Sequence, residues 1–238
     1  MSAQPSLREM IDELVAIPSV SSVDPALDMG NAAVVDRLAN WLEDAGWAVE
    51  RLPLAGAPGK ANLIATRGRG PGGLVLAGHT DTVPYDEGGW SSDPFRVTER
   101  EGKLYGLGTS DMKAFLALAL EAARAFSDDQ LKEPLVLLAT ADEECGMDGA
   151  RALVEAGKPA ARRAVIGEPT GLRPVRMHKG CAMERLELLG RSGHSSDPRH
   201  GASALDGMHA ALGAIVGLRE ELGRAHRHEG VEPPHPTL

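Results

Sequence analysis

The residues of this chain best suited to chemistry fall into four short groups. They are Gly78-His79-Thr80-Asp81, Asp111 within Gly106-Leu107-Gly108-Thr109-Ser110-Asp111-Met112-Lys113, Asp142-Glu143-Glu144, and Gly167-Glu168-Pro169-Thr170. Carboxylates gathered in one place repel one another, and burying them costs several kcal/mol per charge unless something positive is present. A divalent metal ion supplies that charge. One His among carboxylates suits zinc, cobalt or manganese better than calcium, which favours an all-oxygen shell. His79 and Asp81 stand two apart on an extended segment and so share a face, which lets Asp81 fix the imidazole and aim its other nitrogen at the ion. The two cysteines, Cys145 and Cys181, make neither a disulfide framework nor a thiolate zinc site. Cys145, beside Glu144, has no evident base of its own and reads as a small packing residue.

These groups have to be carried by something rigid. Three of them directly succeed apolar runs: Leu74 to Ala77 leads into His79, Leu135 to Ala139 into Asp142, and Ala164 to Ile166 into Glu168. Such short runs read as strands buried on both faces, as does Asn62 to Thr66, while Trp47 to Leu52 reads as a further strand. Helices are expected around Leu7 to Val15, ended by Pro18; around Val34 to Leu42, with Gly46 at the cap; over Met112 to Phe126; and near Ala150 to Glu155. Strands alternating with helices predict an α/β fold, a mixed and mostly parallel sheet with helices on both faces, in which ligands collect at the carboxyl ends of the strands. The pattern changes after Pro174: Cys181 to Leu189 reads as a half-exposed strand, Ala202 to Leu222 as a long amphipathic helix, and His226 to Leu238 as a connection. The expected division is residues 1–175 as a catalytic domain and 176–238 as the beginning of a smaller α+β domain.

Composition removes several classes of function. The chain has 238 residues, 42% of them hydrophobic, and a formal charge of −9 with no basic cluster, which argues against nucleic acid and anionic membranes as partners. Met112 to Phe126 is too short and too charged to span a bilayer. Met1 to Glu13 lacks the basic head and apolar run of a signal peptide, so a cytosolic location is expected.

Taken together, Gly78-His79-Thr80-Asp81-Thr82-Val83-Pro84, Asp111-Met112-Lys113, Asp142-Glu143-Glu144 and Gly167-Glu168-Pro169-Thr170 resemble, in order and spacing, the M20 metallopeptidase family. Trp90 to Phe95, Lys103 to Gly108 and Gly190-Arg191-Ser192-Gly193-His194-Ser195-Ser196-Asp197-Pro198 resemble its acetylornithine deacetylase branch. The resemblance implies a zinc-peptidase-like catalytic domain and a ferredoxin-like lid that carries a homodimer contact. It further implies two zinc ions, with cobalt as an alternative, bridged by Asp111; His79 and Glu168 hold one ion and Glu144 the other. Glu143 is then the general base and acid, Asp81 supports His79, and His194 stabilises the oxyanion, across a dimer interface. The implied reaction converts N2-acetyl-L-ornithine, a small N-acyl amino acid, to L-ornithine and acetate in arginine biosynthesis. Succinyl-diaminopimelate desuccinylase shares the same residues and is the alternative. An aminopeptidase or carboxypeptidase of the family has less support.

Family members are about half as long again and supply a further His to the second ion. The chain is therefore expected to be C-terminally truncated, its second zinc site weak, and an inactive remnant is a third reading. His178, His200, His209, His226, His228 and His235 are read as ordinary exposed histidines, and Arg219, Glu220, Glu221 and Arg224 as a solvated helix face.

Overall fold

The computed structural model of the chain describes residues 4–238, so the beginning of the Met1 to Glu13 segment lies outside the described residues. The chain divides into two compact units, Met1–Pro169 and Thr170–Leu238, with the division at Pro169 rather than near residue 175.

The first unit is built around a five-stranded sheet. Its strands are β1 (Ala48–Pro53), β2 (Ala61–Arg67), β3 (Leu74–His79), β6 (Leu135–Thr140) and β7 (Arg163–Ile166), and they lie in the order β1-β2-β6-β3-β7. β3 pairs in parallel with both β6 and β7, whereas β2 pairs antiparallel with β1 and β6. The sheet is thus mixed as expected, with parallel pairing confined to the side that carries the chemistry. A separate two-stranded ribbon joins β4 (Thr98–Arg100) to β5 (Lys103–Tyr105). Its segments are too short and polar to give a periodic signal, so the sequence pattern does not announce it.

Side-chain alternation sends the strands into two cores. Leu63, Ala65, Leu137 and Ala139 pack with α1 (Leu7–Ala16), α2 (Ala32–Asp44) and α3 (Lys113–Arg124) on one face. Ile64, Val75 and Val136 pack with Leu153 of α4 (Asp148–Glu155) on the other. Both faces are covered, which is why the strands read as continuous apolar runs rather than as alternating ones. At the start of α1, Ser6 and Glu9 cap each other reciprocally. Gly46 comes after α2 with φ +81, the left-handed conformation that ends a helix and turns the chain into β1.

The second unit contains α5 (Ala204–Ala225), capped by Ser203 accepting the Asp206 N–H, and an isolated bridge between Arg191 and Ala202. Cys181 to Leu189 is not a strand, contrary to the expectation. No other segment of this unit pairs with it among the described residues, and a run without a ladder partner leaves its backbone to solvent. Met183, Leu186 and Leu189 are accordingly exposed. Among the described residues no helix is long and apolar enough to cross a membrane.

A close approach between α4 and the sheet fixes the turn after β6. Asn62 is buried; it accepts the Ala141 N–H at 3.0 Å and donates to the Gly149 carbonyl at 2.8 Å. A Cβ on Gly149 would run into the Ala141 carbonyl oxygen and Asn62 Oδ1. Gly149→Ala is expected to lower stability by about 1–3 kcal/mol as backbone and Asn62 are forced apart. Gly213→Ala, on an open face of α5, should instead be neutral or stabilising by roughly 0.5–1 kcal/mol. Urea unfolding of the two variants measures the contrast.

Candidate metal centre

Parallel pairing aligns the ends of three strands. His79 at the end of β3 lies beside Thr140 at the end of β6, and Ala77 lies beside Ile166 at the end of β7. The residues just beyond each strand therefore emerge at one edge. A glycine after β7 permits close packing there: a Cβ on Gly167 would overlap the Phe115 ring of α3. Asp111 arrives by a different route, at the start of α3, through an Asp111–Met112 peptide that is cis.

The result is convergence. Ligand atoms of His79, Asp111 and Glu168 lie within 4.8 Å of one another, and so do those of His79, Glu143 and Glu144. His79 belongs to both groups and is buried, with Nε2 at 3.0 Å from Asp111 Oδ1. Its Nδ1 lies 2.9 Å from the backbone carbonyl oxygen of Asp81, which selects the tautomer with the proton on Nδ1 and leaves Nε2 as a donor for a metal.

The carboxylate of Asp81 does something other than expected. Its Oδ1 stands 3.6 Å from His79 Nδ1, too far for a hydrogen bond, and the ring is fixed by the Asp81 main chain instead. Asp81 Oδ2 accepts from Ser21 Oγ at 2.5 Å and from the Glu144 N–H at 3.1 Å. Asp81 thus couples the β3 end to the turn that bears Glu143 and Glu144. Asp81 Oδ1 is buried and has no hydrogen-bond partner.

Behind the site lies a buried polar layer in which Thr80, Thr82 and Lys113 of the sequence motifs are joined by Ser19, Ser21 and Asn31, which the motifs leave out. Residues Ser19 to Ser21 run alongside Thr80 to Thr82, with Ser21 N–H donating to the Thr82 carbonyl and Thr82 N–H to that of Ser19, each at 3.0 Å. Asn31 reaches Thr80 Oγ1 at 2.6 Å and pairs with both backbone groups of Ala61. Lys113 is fully buried, and its ammonium donates to the Ile17 carbonyl at 2.9 Å with Ser19 Oγ at 3.4 Å. Burial without a carboxylate partner brings its pKa down to about 8. A serine or an asparagine in these places carries no pattern of its own; only the fold brings Ser19, Ser21 and Asn31 to the site.

Electrostatics expose what the cluster lacks. Burial, and then the charges of Asp111, Glu143 and Asp81, push the Glu144 carboxyl up to about 7 against the partial relief of His79. Burial and the same acidic neighbours raise Glu168 as well. For His79, burial opposes the imidazolium, yet the charge and carbonyl of Asp81 and the charges of Glu143 and Glu168 prevail and raise it. Without a metal, the cluster's surroundings favour the protonated forms of these groups. A divalent cation would take the place of those protons, and the donors that converge there, His79 Nε2 and the carboxylates of Asp111, Glu143, Glu144 and Glu168, are of the kinds that fit such an ion. His194 belongs to the second unit, where it is exposed and its Nδ1 accepts the Ser196 N–H at 3.2 Å.

These signs set a pH dependence of stability. The folded Glu144 carboxyl keeps its proton above the 4.5 of the free group, and the folded His79 keeps its proton above 6.5. Between pH about 4.5 and 7 the folded metal-free chain therefore binds more protons than the unfolded one at these positions, so their contribution is present at low pH and lost as pH rises. The metal-free chain should become easier to unfold across that window, Glu144→Gln should flatten the dependence, and zinc should reverse it. Thermal unfolding at stepped pH, with and without zinc, reads all three.

The sequence and fold have known counterparts. Residues 75–233 match the model of peptidase family M20/M25/M40. The acetylornithine deacetylase of Pasteurella multocida is 48% identical over 238 residues, which are 100% of this chain and 62% of that protein. That of Salmonella arizonae is 49% identical over 234 residues, 98% of this chain and 61% of that protein. The chain thus spans about three fifths of the length of these relatives. The crystal structure of human carnosine dipeptidase 1 superposes with a TM-score of 0.58 at 28% identity, covering 67% of this chain and 38% of that one. With its match over most of the sequence and with its strand ends carrying the same motifs in order, this chain belongs to peptidase family M20/M25/M40.

Proposed function

We propose that the site hydrolyses the amide of N2-acetyl-L-ornithine, giving L-ornithine and acetate, with two zinc ions bound at the sheet edge. The observation that carries this reading is the convergence of His79, Asp111, Glu143, Glu144 and Glu168 in two groups that share His79, where burial and acidic neighbours raise the Glu144 carboxyl. The relatives named as acetylornithine deacetylases support the substrate.

In this reading His79 and Glu168 would hold one ion and Glu144 the other, with Asp111 as a ligand the two would share. Zinc supplies Lewis acidity that lowers the pKa of water and polarises the amide carbonyl. Glu143, assigned as the general base and acid, takes the proton of the attacking water and returns it to the ornithine nitrogen as the carbon–nitrogen bond breaks. Asp81 keeps His79 and the Glu144 main chain in register. His194 is assigned to the oxyanion, from the second unit or from a second copy of the chain in a homodimer, and the protein to the cytosol.

Zinc content and N2-acetylornithine hydrolysis, measured on wild type and Glu143→Ala, test the proposal. The variant should keep its zinc and lose about 10²–10⁴-fold in kcat, and a chelator should abolish wild-type turnover. Equal turnover by the two proteins would sink the assignment of Glu143. Faster cleavage of N-succinyl-diaminopimelate than of N2-acetylornithine would move the substrate to the related desuccinylase while leaving the chemistry in place.

A further inference from the structure

Strand β2 contributes no ligand, yet its approach reaches the turn that carries two of the acidic groups. The antiparallel register pairs Leu63 with Ala139 and Ile64 with Leu138. Continued outward, that register sets Lys60 opposite Asp142, the residue just before Glu143. Lys60 Nζ donates to Asp142 Oδ1 at 2.7 Å and to the Asp28 carboxylate at 2.8 Å. The pair is well shielded, with the Lys60 and Asp142 side chains 10% and 5% exposed.

Asp142 itself is under constraint. Its φ is +56, a left-handed conformation that side chains other than those of asparagine and aspartate seldom adopt and that costs even these some free energy. Its carbonyl accepts the N–H groups of Gly146 and Met147, so that it closes the turn around Glu143, Glu144 and Cys145. Something must hold a non-glycine residue there, and the Lys60 ammonium is the strongest partner it has. Asp28 extends the hold. It accepts the Ser22 N–H at 3.0 Å, and the preceding residue, Ser21, donates to Asp81. One cation therefore links β2, the Ser21–Asp81 contact and the acidic turn.

We propose that Lys60 is a positioning residue for the metal centre: its ion pair with Asp142, shared with Asp28, fixes the turn that presents Glu143 and Glu144. The inference rests on the proposed binding of zinc by this cluster. Lys60 touches neither ion nor substrate and acts through the Asp142 backbone.

The test compares wild type, Lys60→Met, Lys60→Met/Asp142→Asn, and Lys158→Met, which breaks an exposed ion pair with Glu50. Zinc affinity is measured by competition with a chelating indicator, the ligand field from the visible spectrum of the Co2+-loaded chain, and fold integrity from metal-free thermal unfolding. Both Lys60 variants should bind zinc roughly 10-fold to 100-fold more weakly, as expected when a group supporting a ligand is lost, and should alter the Co2+ spectrum. Lys158→Met should match wild type in both. The double variant leaves no unpaired charge at Asp142, so its metal-free melting point should lie near that of wild type while its zinc affinity stays low. Wild-type zinc affinity and spectrum in either Lys60 variant would overturn the proposal while leaving the metal centre standing. Failure of the wild-type chain itself to bind zinc would overturn the metal centre and this inference with it.

Discussion

Like charges set close together in a partly dry place must be relieved, and the first unit is organised by that necessity. Asp81, Asp111, Glu143, Glu144 and Glu168 are held at one edge of the sheet with His79. Left to themselves they would separate or stay protonated. The fold prevents the first. Parallel pairing of β6, β3 and β7 brings the residues beyond them to a common edge, and α3 delivers Asp111 beside it. A bound cation would prevent the second, so the arrangement that makes a candidate metal site also restricts how the strand ends are built.

The polar layer beneath the acids meets a related demand. Ser19, Ser21, Asn31, Asn62 and Thr80 are buried, and each is hydrogen-bonded to main chain or to another polar side chain. Satisfied in this way, such groups are inexpensive and allow one geometry only. Asp81 shows the economy of the arrangement: its carbonyl sets the His79 tautomer while its carboxylate grips the backbone of Glu144. Two residues contributed by different strand ends are thereby locked to one another before any ion arrives.

Much of this is legible in the sequence because it is local. The apolar runs before His79, Asp142 and Glu168 are strands, and the acidic residues after them do meet at one edge. Helix α3 begins at Lys113, within a residue of where the apolar pattern after Asp111 starts. The features that escape a sequence reading are those that depend on register. Lys60 and Asn62 read as an ordinary basic and an ordinary polar residue until β2 is laid against β6. His79 donates its Nδ1 hydrogen bond to the main-chain carbonyl of Asp81 rather than to its carboxylate, a difference in backbone path that side-chain spacing does not encode. Cys181 to Leu189 has the composition of a strand but lacks the partner that would make it one, and no reading of a single segment reveals whether its neighbour is present.

The strand order also governs when the site comes into being. β3 sits between β6 and β7, both of which come later in the chain, while the contacts that matter join residues far apart: Asp81 and Glu144 are separated by 63 positions, Lys60 and Asp142 by 82. Closing loops of that size is entropically costly and makes such topologies slow to form. As the polypeptide leaves the ribosome, β3 has neither of its neighbours, and both of its edges stay open to wrong pairing until the segment through Ile166 has emerged. The groups that could hold a metal ion are assembled only when β3, β6 and β7 have found one another, so the formation of such a site would follow that of the sheet.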